Sequence, residues 1–135
     1  MPRSPRQVVE AWSAAFNRQD ADALAALYAS DAVNWQVADQ PLKGREAIHE
    51  SFRVLFRAFP DMGHSRVNLL EEGEWAALEW EGWGTHRGEF AGRPASGRSF
   101  RLRGCGFFQV RDGLIVFQRG YWDRITWFGQ IGVPV

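Results

Sequence analysis

Two side chains have the chemical type and the neighbours that acid–base catalysis requires. Asp123 lies among aromatic residues in FQRGYWDRITW, residues 117–127, and His86 ends the strand-like segment EGWGTH. A carboxyl group desolvated among rings has a raised pKa, as a general acid or base needs. A histidine in an unperturbed setting titrates near neutral pH and can carry protons. We therefore predict Asp123 and His86 as the catalytic groups if the protein is an enzyme.

A structural role is the alternative for both residues. Asp123 directly precedes the apolar segment RITWFGQ, and an aspartate between a strand and a helix typically caps the helix. It could also pair with Arg119 or Arg124. A bulge at Gly120 would shift the strand register and turn Asp123 towards the inside of the fold. For His86 the alternative is a hydrogen bond to a loop, and the sequence favours the structural role for each residue.

Three amide side chains form a second candidate set. Asn34 and Gln36 share one side of the predicted strand AVNWQV, whereas Trp35 takes the other side. One of these sides must face the interior, and the sequence leaves open which. With Gln118 on a later strand, the amides could bind a ligand carbonyl or position a water molecule. No metal site is expected, because the three histidines are dispersed and none has a carboxylate at ligand spacing.

Helical signals dominate the first sixty residues of the chain. Apolar residues recur at helical spacing after Ser4, after Asp20 and after Gly44, and Pro60 ends the third of these helices. Residues 32–37, before the third helix, have the pattern of a strand.

The rest of the chain has the pattern of two β-hairpins. Their turns are predicted at residues 72–73 and 112–113, and a surface loop rich in Gly and Pro, residues 87–98, joins them. Residues 124–132 then form a short terminal helix or turn. Helices followed by hairpins predict one α+β domain over residues 1–135, with the helices packed on one face of a curved antiparallel sheet.

The inner face of that sheet is predicted to set glycines opposite large rings. Glycine within a strand often marks a bend or a close approach by another group. Rings above missing side chains either enclose an apolar pocket or fill a core, and we favour the pocket. The predicted ligand-binding residues are Trp12, Phe16, Asn34, Trp35, Gln36, Phe52, Phe56, Trp80, Gly106, Gln118, Gly120 and Trp122.

The other face of the sheet combines charges with aromatic rings. Glutamates on one strand can pair with arginines on the next, since opposite charges attract across strands. Protein interfaces are enriched in aromatic residues and arginine, so we predict a homodimer through this outer face. The alternative is a solvated face with scattered rings. The residues concerned are Glu79, Glu81, Trp83, Arg101, Arg103, Phe107, Phe117, Arg119 and Tyr121.

Composition argues against several classes of protein. Sixteen Lys and Arg balance sixteen Asp and Glu, so nothing suggests a nucleic-acid partner. The single cysteine, Cys105, fits a reducing compartment. No apolar run approaches the length of a membrane span, and no signal sequence is recognisable. We expect a cytoplasmic protein without a cofactor, which binds a small apolar molecule and neither nucleic acid nor membrane.

Several motifs occur in an order that is typical of one protein family. They are FNRQDADALAALYASDAV, GREAIHESFRVLFRAFPD, GTHRGEFAGRPASGR, FFQVRDGLIVFQRGYWD and FGQIG, which together extend over nearly the whole chain. In this order they resemble the SnoaL-like polyketide cyclases of the nuclear-transport-factor-2-like (NTF2-like) superfamily. The resemblance implies a cone-shaped α+β fold, an apolar pocket between the helices and the curved sheet, and frequent homodimers.

The same resemblance places the family's catalytic positions on residues without acid–base groups. The aspartate of characterised cyclases corresponds to Gly120, and their two histidines correspond to Gln118 and Gly106. In ketosteroid isomerase, a relative with the same fold, the pocket tyrosine corresponds to Trp12 and the base aspartate to Gln36. Neither activity therefore carries over to this chain.

Three functions follow from these observations. The first is a cofactor-free cyclase- or isomerase-type enzyme acting on an aromatic or polycyclic ketone, with Asp123 and His86 as displaced acid–base groups. The second is a binding protein without catalysis, with Trp12, Trp35 and other tryptophans as the walls of its pocket. The third is a dimeric interaction module whose core is filled by its own rings.

Overall fold

Four helices and six strands form an α+β structure. The computed structural model describes all residues, 1–135. In chain order the elements are α1 (Pro5–Asn17), α2 (Ala21–Ala25), β1 (Tyr28–Gln36), β2 (Leu42–Lys43), α3 (Arg45–Ala58), β3 (Gly63–Glu72), β4 (Trp75–Thr85), β5 (Ser99–Arg111), β6 (Leu114–Trp122) and α4 (Arg124–Ile131).

The predicted helix starts are confirmed. The Ser4 hydroxyl accepts a hydrogen bond from the Gln7 N–H, and the Gln7 side chain accepts one from the Ser4 N–H, so both halves of a capping box are present. Asp20 caps α2 through the Ala23 N–H. The second helix is shorter than its apolar pattern suggests, because β1 already begins at Tyr28 and pairs there with β6.

The six strands form one open sheet in the order β2-β1-β6-β5-β4-β3. Strands β3 to β6 pair in antiparallel fashion, as the hairpin signals predicted. Strand β1 pairs in parallel with β6, an exception to the predicted antiparallel sheet. The two residues of β2 lie antiparallel to β1 at the edge and were not predicted. The helices pack against this sheet, which confirms the predicted α+β class. No helix of the chain has the length and apolar character that crossing a bilayer demands.

A bulge in β6 fixes which side chains face inward. Gln109 pairs with Phe117 and Val110 pairs with Ile115, so Val116 is the extra residue. Ile115 is therefore buried in the core, whereas strict alternation along β6 from Gln118 would put Val116 there. Around Gly120 the pairing with β5 is regular, so the bulge that would have turned Asp123 inward is not present.

The buried residues form two clusters. The larger cluster lies between α1, α3 and the sheet, and contains Trp12, Phe16, Phe52 and Phe56. The smaller cluster gathers α4 and the end of α3 over the first part of β5. Half-buried Leu55, Met62 and Trp80 contact both clusters.

His64 is a buried histidine that packs against the larger cluster. Its Nε2 lies 2.9 Å from the Ser13 hydroxyl, and its ring packs on Trp12 and Phe16 with centroid separations of 5.6 and 5.1 Å. Burial lowers the pKa of His64 from 6.5 to about 4. The folded protein therefore holds this histidine neutral where the unfolded chain would protonate it.

We predict that this histidine makes the fold sensitive to acid. Above pH 6.5 the histidine is neutral in both the folded and the unfolded state and does not change the free energy of unfolding. As the pH falls from 6.5 towards 4, only the unfolded chain binds the proton, so the free energy of unfolding decreases by about 3 kcal/mol in total. His64→Gln keeps a partner for Ser13 but does not titrate, so its unfolding free energy should fall less over this interval. Urea unfolding at pH 7, 6, 5 and 4 measures the difference. Equal pH dependence in the two proteins would contradict the assignment.

Candidate functional site

The amide side of β1 faces the interior. Asn34 is 5% exposed and pairs in register with Gln118 of β6, which is 4% exposed. Gln36, two residues further along β1, pairs with Gly120. We refer to Asn34, Gln36 and Gln118 as the amide cluster. It is a group of neutral polar side chains on an otherwise apolar inner face.

One chain of hydrogen bonds reaches the amide cluster from α1. The Trp12 indole Nε1–H donates to the Tyr28 hydroxyl at 2.9 Å. The Tyr28 hydroxyl in turn donates to Gln118 Oε1. Burial raises the pKa of Tyr28, and the bond from Trp12 only partly opposes this, so the phenol remains protonated and able to donate.

A second chain reaches the cluster from the end of β6. The Trp122 indole Nε1–H donates to Gln36 Oε1 at 2.9 Å. Gln36 Nε2 then donates to Asn34 Oδ1 at 2.8 Å. Both chains start at an indole and end at an amide, so helix α1 and strand β6 together fix the orientation of the cluster.

Beside the cluster, Gly106 is the inner-face glycine whose added Cβ would make no close contact. The Trp80 ring lies over Gly104, and the Gln36 amide lies over Gly120, so a Cβ at either glycine would overlap them. Gly106, which pairs with Gly120, is buried, yet a Cβ added there would meet nothing closer than the Arg119 carbonyl oxygen at 3.4 Å.

We define the Gly106 niche as the inner-face space over this residue. In the sheet register Gly106 lies between Leu78 of β4 and Gly120 of β6, and the Gln36 amide lies over Gly120. Trp80 and Trp122 flank Gly104, two residues away on β5. Trp80, Trp122 and Gln36 beside it are half-buried, whereas Gly106, Asn34 and Gln118 are buried. Alternation along the strands predicted Trp80 and Trp122 on the inner face, whereas the side taken by Gln36 was left open.

Four of the predicted pocket residues pack mainly on one another. The rings of Trp12 and Phe16 stack at 5.2 Å, and those of Phe52 and Phe56 stack at 6.0 Å. An edge contact of 5.2 Å between Phe16 and Phe56 joins the two pairs. Between α1 and α3 the filled-core alternative therefore applies, because these four rings are buried against one another.

Trp35 was wrongly assigned to the ligand-binding set. It lies on the outer face beside Arg119 and is 37% exposed, whereas its neighbours Asn34 and Gln36 face inward. The parallel pairing of β1 with β6 determines this orientation, and a single strand's alternation could not reveal it.

Asp123 is the N-cap of α4 and does not face the interior. Its carboxylate accepts from the Thr126 N–H at 3.1 Å and from the Thr126 hydroxyl. These bonds lower the pKa of Asp123, the opposite of what a general base near neutral pH needs. The side chain is exposed and lines a surface cleft of about 460 Å³ with Arg101 and Arg103 of the outer face. The capping alternative describes this residue.

His86 is sealed beneath the loop that follows β4. Its Nδ1 accepts from the Ser96 N–H at 3.2 Å and lies 2.9 Å from the Ser96 hydroxyl. Its ring stacks on Phe59, and its Nε2 is buried without a partner. The structure places His86 in the smaller cluster with no bond to Asp123, so the predicted catalytic pair is not brought together.

Sequence reasoning missed Tyr28, the residue at the centre of the site. Its position in an apolar helical pattern indicated a core residue, and only the β1–β6 pairing brings its hydroxyl to Gln118. The available chemistry is that of neutral hydrogen-bond donors and acceptors beside aromatic rings. No three His, Cys, Asp or Glu side chains are grouped so that they could hold a metal ion.

Comparison with known sequences agrees with the motif order. Residues 6–131 match the family described as SnoaL-like polyketide cyclase. The chain is 30% identical over 94 residues to the aklanonic acid methyl ester cyclase DnrD of Streptomyces peucetius. That match covers 69% of this chain and 65% of the relative, slightly less than two thirds of its length.

Comparison with solved structures extends over almost the whole chain. IdmH of Streptomyces antibioticus, a proposed polyketide cyclase, is 30% identical with a TM-score of 0.79, covering 97% of this chain and 100% of its own. A Catenulispora acidiphila protein with a ketosteroid isomerase-like fold is 20% identical with a TM-score of 0.82, covering 98% and 96%, a likeness of fold alone. With this fold and a family match over residues 6–131, the chain belongs to the SnoaL-like polyketide cyclase family.

Proposed function

We propose that the protein binds an aromatic or polycyclic small molecule in the Gly106 niche and does not act on it as a general base. The observation that carries the proposal is the position of the amide cluster beside a buried glycine whose added Cβ would make no contact closer than 3.4 Å. Ligand sites are commonly apolar surfaces with a few polar groups that orient the ligand. Half-buried Trp80 and Trp122 provide flat surfaces on which an aromatic ring can stack.

The lack of an interior base supports binding over catalysis. Asp123 caps α4 on the outer side, His86 is sealed under its loop, and the Tyr28 pKa is raised by burial. An aldol or isomerase step needs a group that removes a proton next to a carbonyl. The niche has donors that would stabilise an enolate oxygen, but it has no carboxylate or accessible histidine that would form one.

A cofactor-free cyclase is the second candidate, and the similarity to DnrD favours it. In that case the amide cluster would stabilise the enolate oxygen while the proton passes to solvent. The two candidates differ in one measurable step, the removal of a proton from carbon. Hydrogen–deuterium exchange at the C2 position of 1-indanone in D₂O, followed by NMR, reports this step directly. Acceleration by catalytic amounts of protein would favour the cyclase, and an unchanged rate favours the binder.

We further propose that two copies associate through the outer face of the sheet. Phe107 and Tyr121 are 37% and 43% exposed there, with their rings in edge contact at 6.4 Å. The Arg119 guanidinium lies over the Phe107 and Phe117 rings at 5.9 and 5.6 Å. An exposed surface of rings around an arginine has the composition of a protein interface.

Blocking the niche should abolish binding without unfolding the protein. Gly106→Ala is tolerated because the nearest atom to its added Cβ is 3.4 Å away. Gly106→Val should weaken 1-indanone binding about tenfold or more, since overpacking a site typically costs about 1–3 kcal/mol. Chemical shifts of the tryptophan Nε1–H signals in ¹⁵N-labelled protein give the affinities.

The matched control for the niche is Gly129→Ala on α4, where an added Cβ meets nothing within 4 Å. It should bind 1-indanone like the unmodified protein. If the unmodified protein shows no saturable shift with 1-indanone, or if Gly106→Val binds as well as Gly129→Ala, the proposed niche is wrong.

A charge placed at the outer face should separate the dimer. Phe107→Glu is expected to convert a species of about twice the chain mass into one of 15.4 kDa, measured by light scattering after size-exclusion chromatography. Ile125→Glu is the control, because Ile125 is apolar and, at 67%, more exposed than Phe107, but lies on α4. A monomeric unmodified protein would refute the dimer, and so would a dimer that survives Phe107→Glu.

Substitution of Asp123 should change stability rather than binding. Asp123→Ala removes the cap of α4 and should lower the thermal midpoint by a few degrees. Asp123→Asn, which caps about as well, should keep the midpoint close to that of the unmodified protein. Differential scanning fluorimetry compares the three proteins. If Asp123→Asn loses 1-indanone binding, the residue belongs to the site after all.

A further inference from the structure

We propose that the amide cluster selects ligands by an acceptor oxygen, so that the Gly106 niche takes a ketone- or quinone-type carbonyl in preference to a group that donates hydrogen bonds. The inference rests on the proposed function, because it assigns a polarity to the same niche. It follows from the direction of each hydrogen bond that reaches the cluster.

The hydrogen-bond chain that begins at Trp12 of α1 has only one possible direction at its first bond. An indole Nε1–H can donate and cannot accept. Trp12 therefore donates to the Tyr28 oxygen, and the Tyr28 proton must go elsewhere. Its partner is Gln118 Oε1, so the oxygen of Gln118 is engaged and its NH₂ group points away from Tyr28.

The hydrogen-bond chain that begins at Trp122 of β6 has a fixed direction for the same reason. Trp122 can only donate, so the atom of Gln36 that it contacts at 2.9 Å must be the amide oxygen. The Gln36 nitrogen then donates to Asn34 Oδ1 at 2.8 Å. The oxygen of Asn34 is thus engaged, and its NH₂ group has no partner within the protein.

The two hydrogen-bond chains leave the NH₂ groups of Asn34 and Gln118 unpaired and next to each other. Asn34 and Gln118 are register partners on neighbouring strands, and both side chains lie on the inner face. The polar atoms sealed from solvent without a partner are His86 Nε2, Arg119 Nε and Trp127 Nε1. The amide nitrogens of Asn34 and Gln118 are not among them, so these nitrogens reach accessible space.

A ligand oxygen satisfies this arrangement better than a ligand N–H does. The carbonyl oxygens of all three amides already accept hydrogen bonds, whereas two NH₂ groups on adjacent strands are free. A ligand donor could use only the second lone pair of an amide oxygen, and it would leave the free NH₂ groups desolvated without an acceptor, which is costly for a buried polar group. A carbonyl oxygen has two lone pairs and can accept from both donors at once.

Three bicyclic ligands of nearly equal size test the polarity. The probes are 1-indanone, which accepts through its carbonyl, indane, which neither accepts nor donates, and indole, which donates through its N–H. Each is titrated into ¹⁵N-labelled protein, and the shifts of the backbone and side-chain amide signals give its affinity. We expect 1-indanone to bind about five- to tenfold more tightly than indane or indole, the gain typical of one or two neutral hydrogen bonds.

The same titration has a second readout at the proposed donors. The side-chain NH₂ signals of Asn34 and Gln118 should move downfield with 1-indanone and much less with indane. Two variants of similar shape each remove one donor group, Gln118→Met and Asn34→Leu. Either one should reduce the preference for 1-indanone over indane while indane affinity stays the same. Gln40→Met, an exposed position outside the site, is the control and should keep the preference.

The outcomes separate this inference from the proposed function. If all three probes bind alike, or if indole binds best, the donor polarity is wrong while the niche itself stands. If none of them binds, both proposals fail. If Gln118→Met does not fold, Asn34→Leu and the side-chain signals of the unmodified protein still decide the question. An unchanged preference in a folded variant overturns the role of the residue that was replaced.

Discussion

The hydroxyl of Tyr28 is the group on which the interior of this fold depends, because a buried hydroxyl must be hydrogen-bonded. It accepts from Trp12 of α1 and donates to Gln118 of β6, while the Arg45 side chain at the start of α3 bonds the Tyr28 carbonyl at 2.9 Å. One residue at the start of β1 thereby joins two helices to a strand that lies ninety residues away in sequence. Because the buried Tyr28 hydroxyl must donate its proton to Gln118 Oε1, the orientation of the Gln118 amide is fixed.

A second constraint is the match between large side chains and glycines on the sheet. Trp80 lies over Gly104, and Gln36 lies over Gly120, so each glycine is required by the group above it. Interiors are packed to high density, and a glycine with no such group is therefore unusual. Gly106 differs from Gly104 and Gly120, because an added Cβ would meet the Phe108 ring only at 3.9 Å, and it pairs with the Gly120 that Gln36 covers. The boundaries of the niche are thus set by Trp80 over Gly104 and by Gln36 over Gly120.

The features that were predictable from the sequence are those that local chemistry determines. The Ser4 capping box, the Asp20 cap and the turn at residues 112–113 depend on residues within a few positions of each other, and all three are present. Even the Asp123 cap was visible as the favoured alternative. The inner and outer faces of β4 and β5 also follow from alternation, because those strands pair without a bulge.

Features that depend on pairing between distant strands were not predictable. The parallel pairing of β1 with β6 decides that Asn34 faces inward and Trp35 outward, and it brings Tyr28 to Gln118. The bulge at Val116 depends on the opposite strand, and it changes which of two adjacent apolar residues enters the core. A pattern of residue types leaves these choices open, because each alternative buries a similar amount of apolar surface.

The electrical neutrality of the interior has the widest consequence for function. The two ionisable groups buried against the ring cluster, Tyr28 and His64, are held neutral, since burial raises the pKa of the first and lowers that of the second. The positions that the family resemblance assigns to acid–base groups hold Gly106, Gln118 and Gly120 instead. A carboxylate placed among these rings would need a partner charge or several donors to remain ionised. Amides need neither, and they retain the ability to orient a polar ligand. In the function proposed above, the niche would keep the recognition part of an enolate-stabilising site without its proton-transfer part, which is why the proposal assigns it a neutral ligand with an acceptor oxygen.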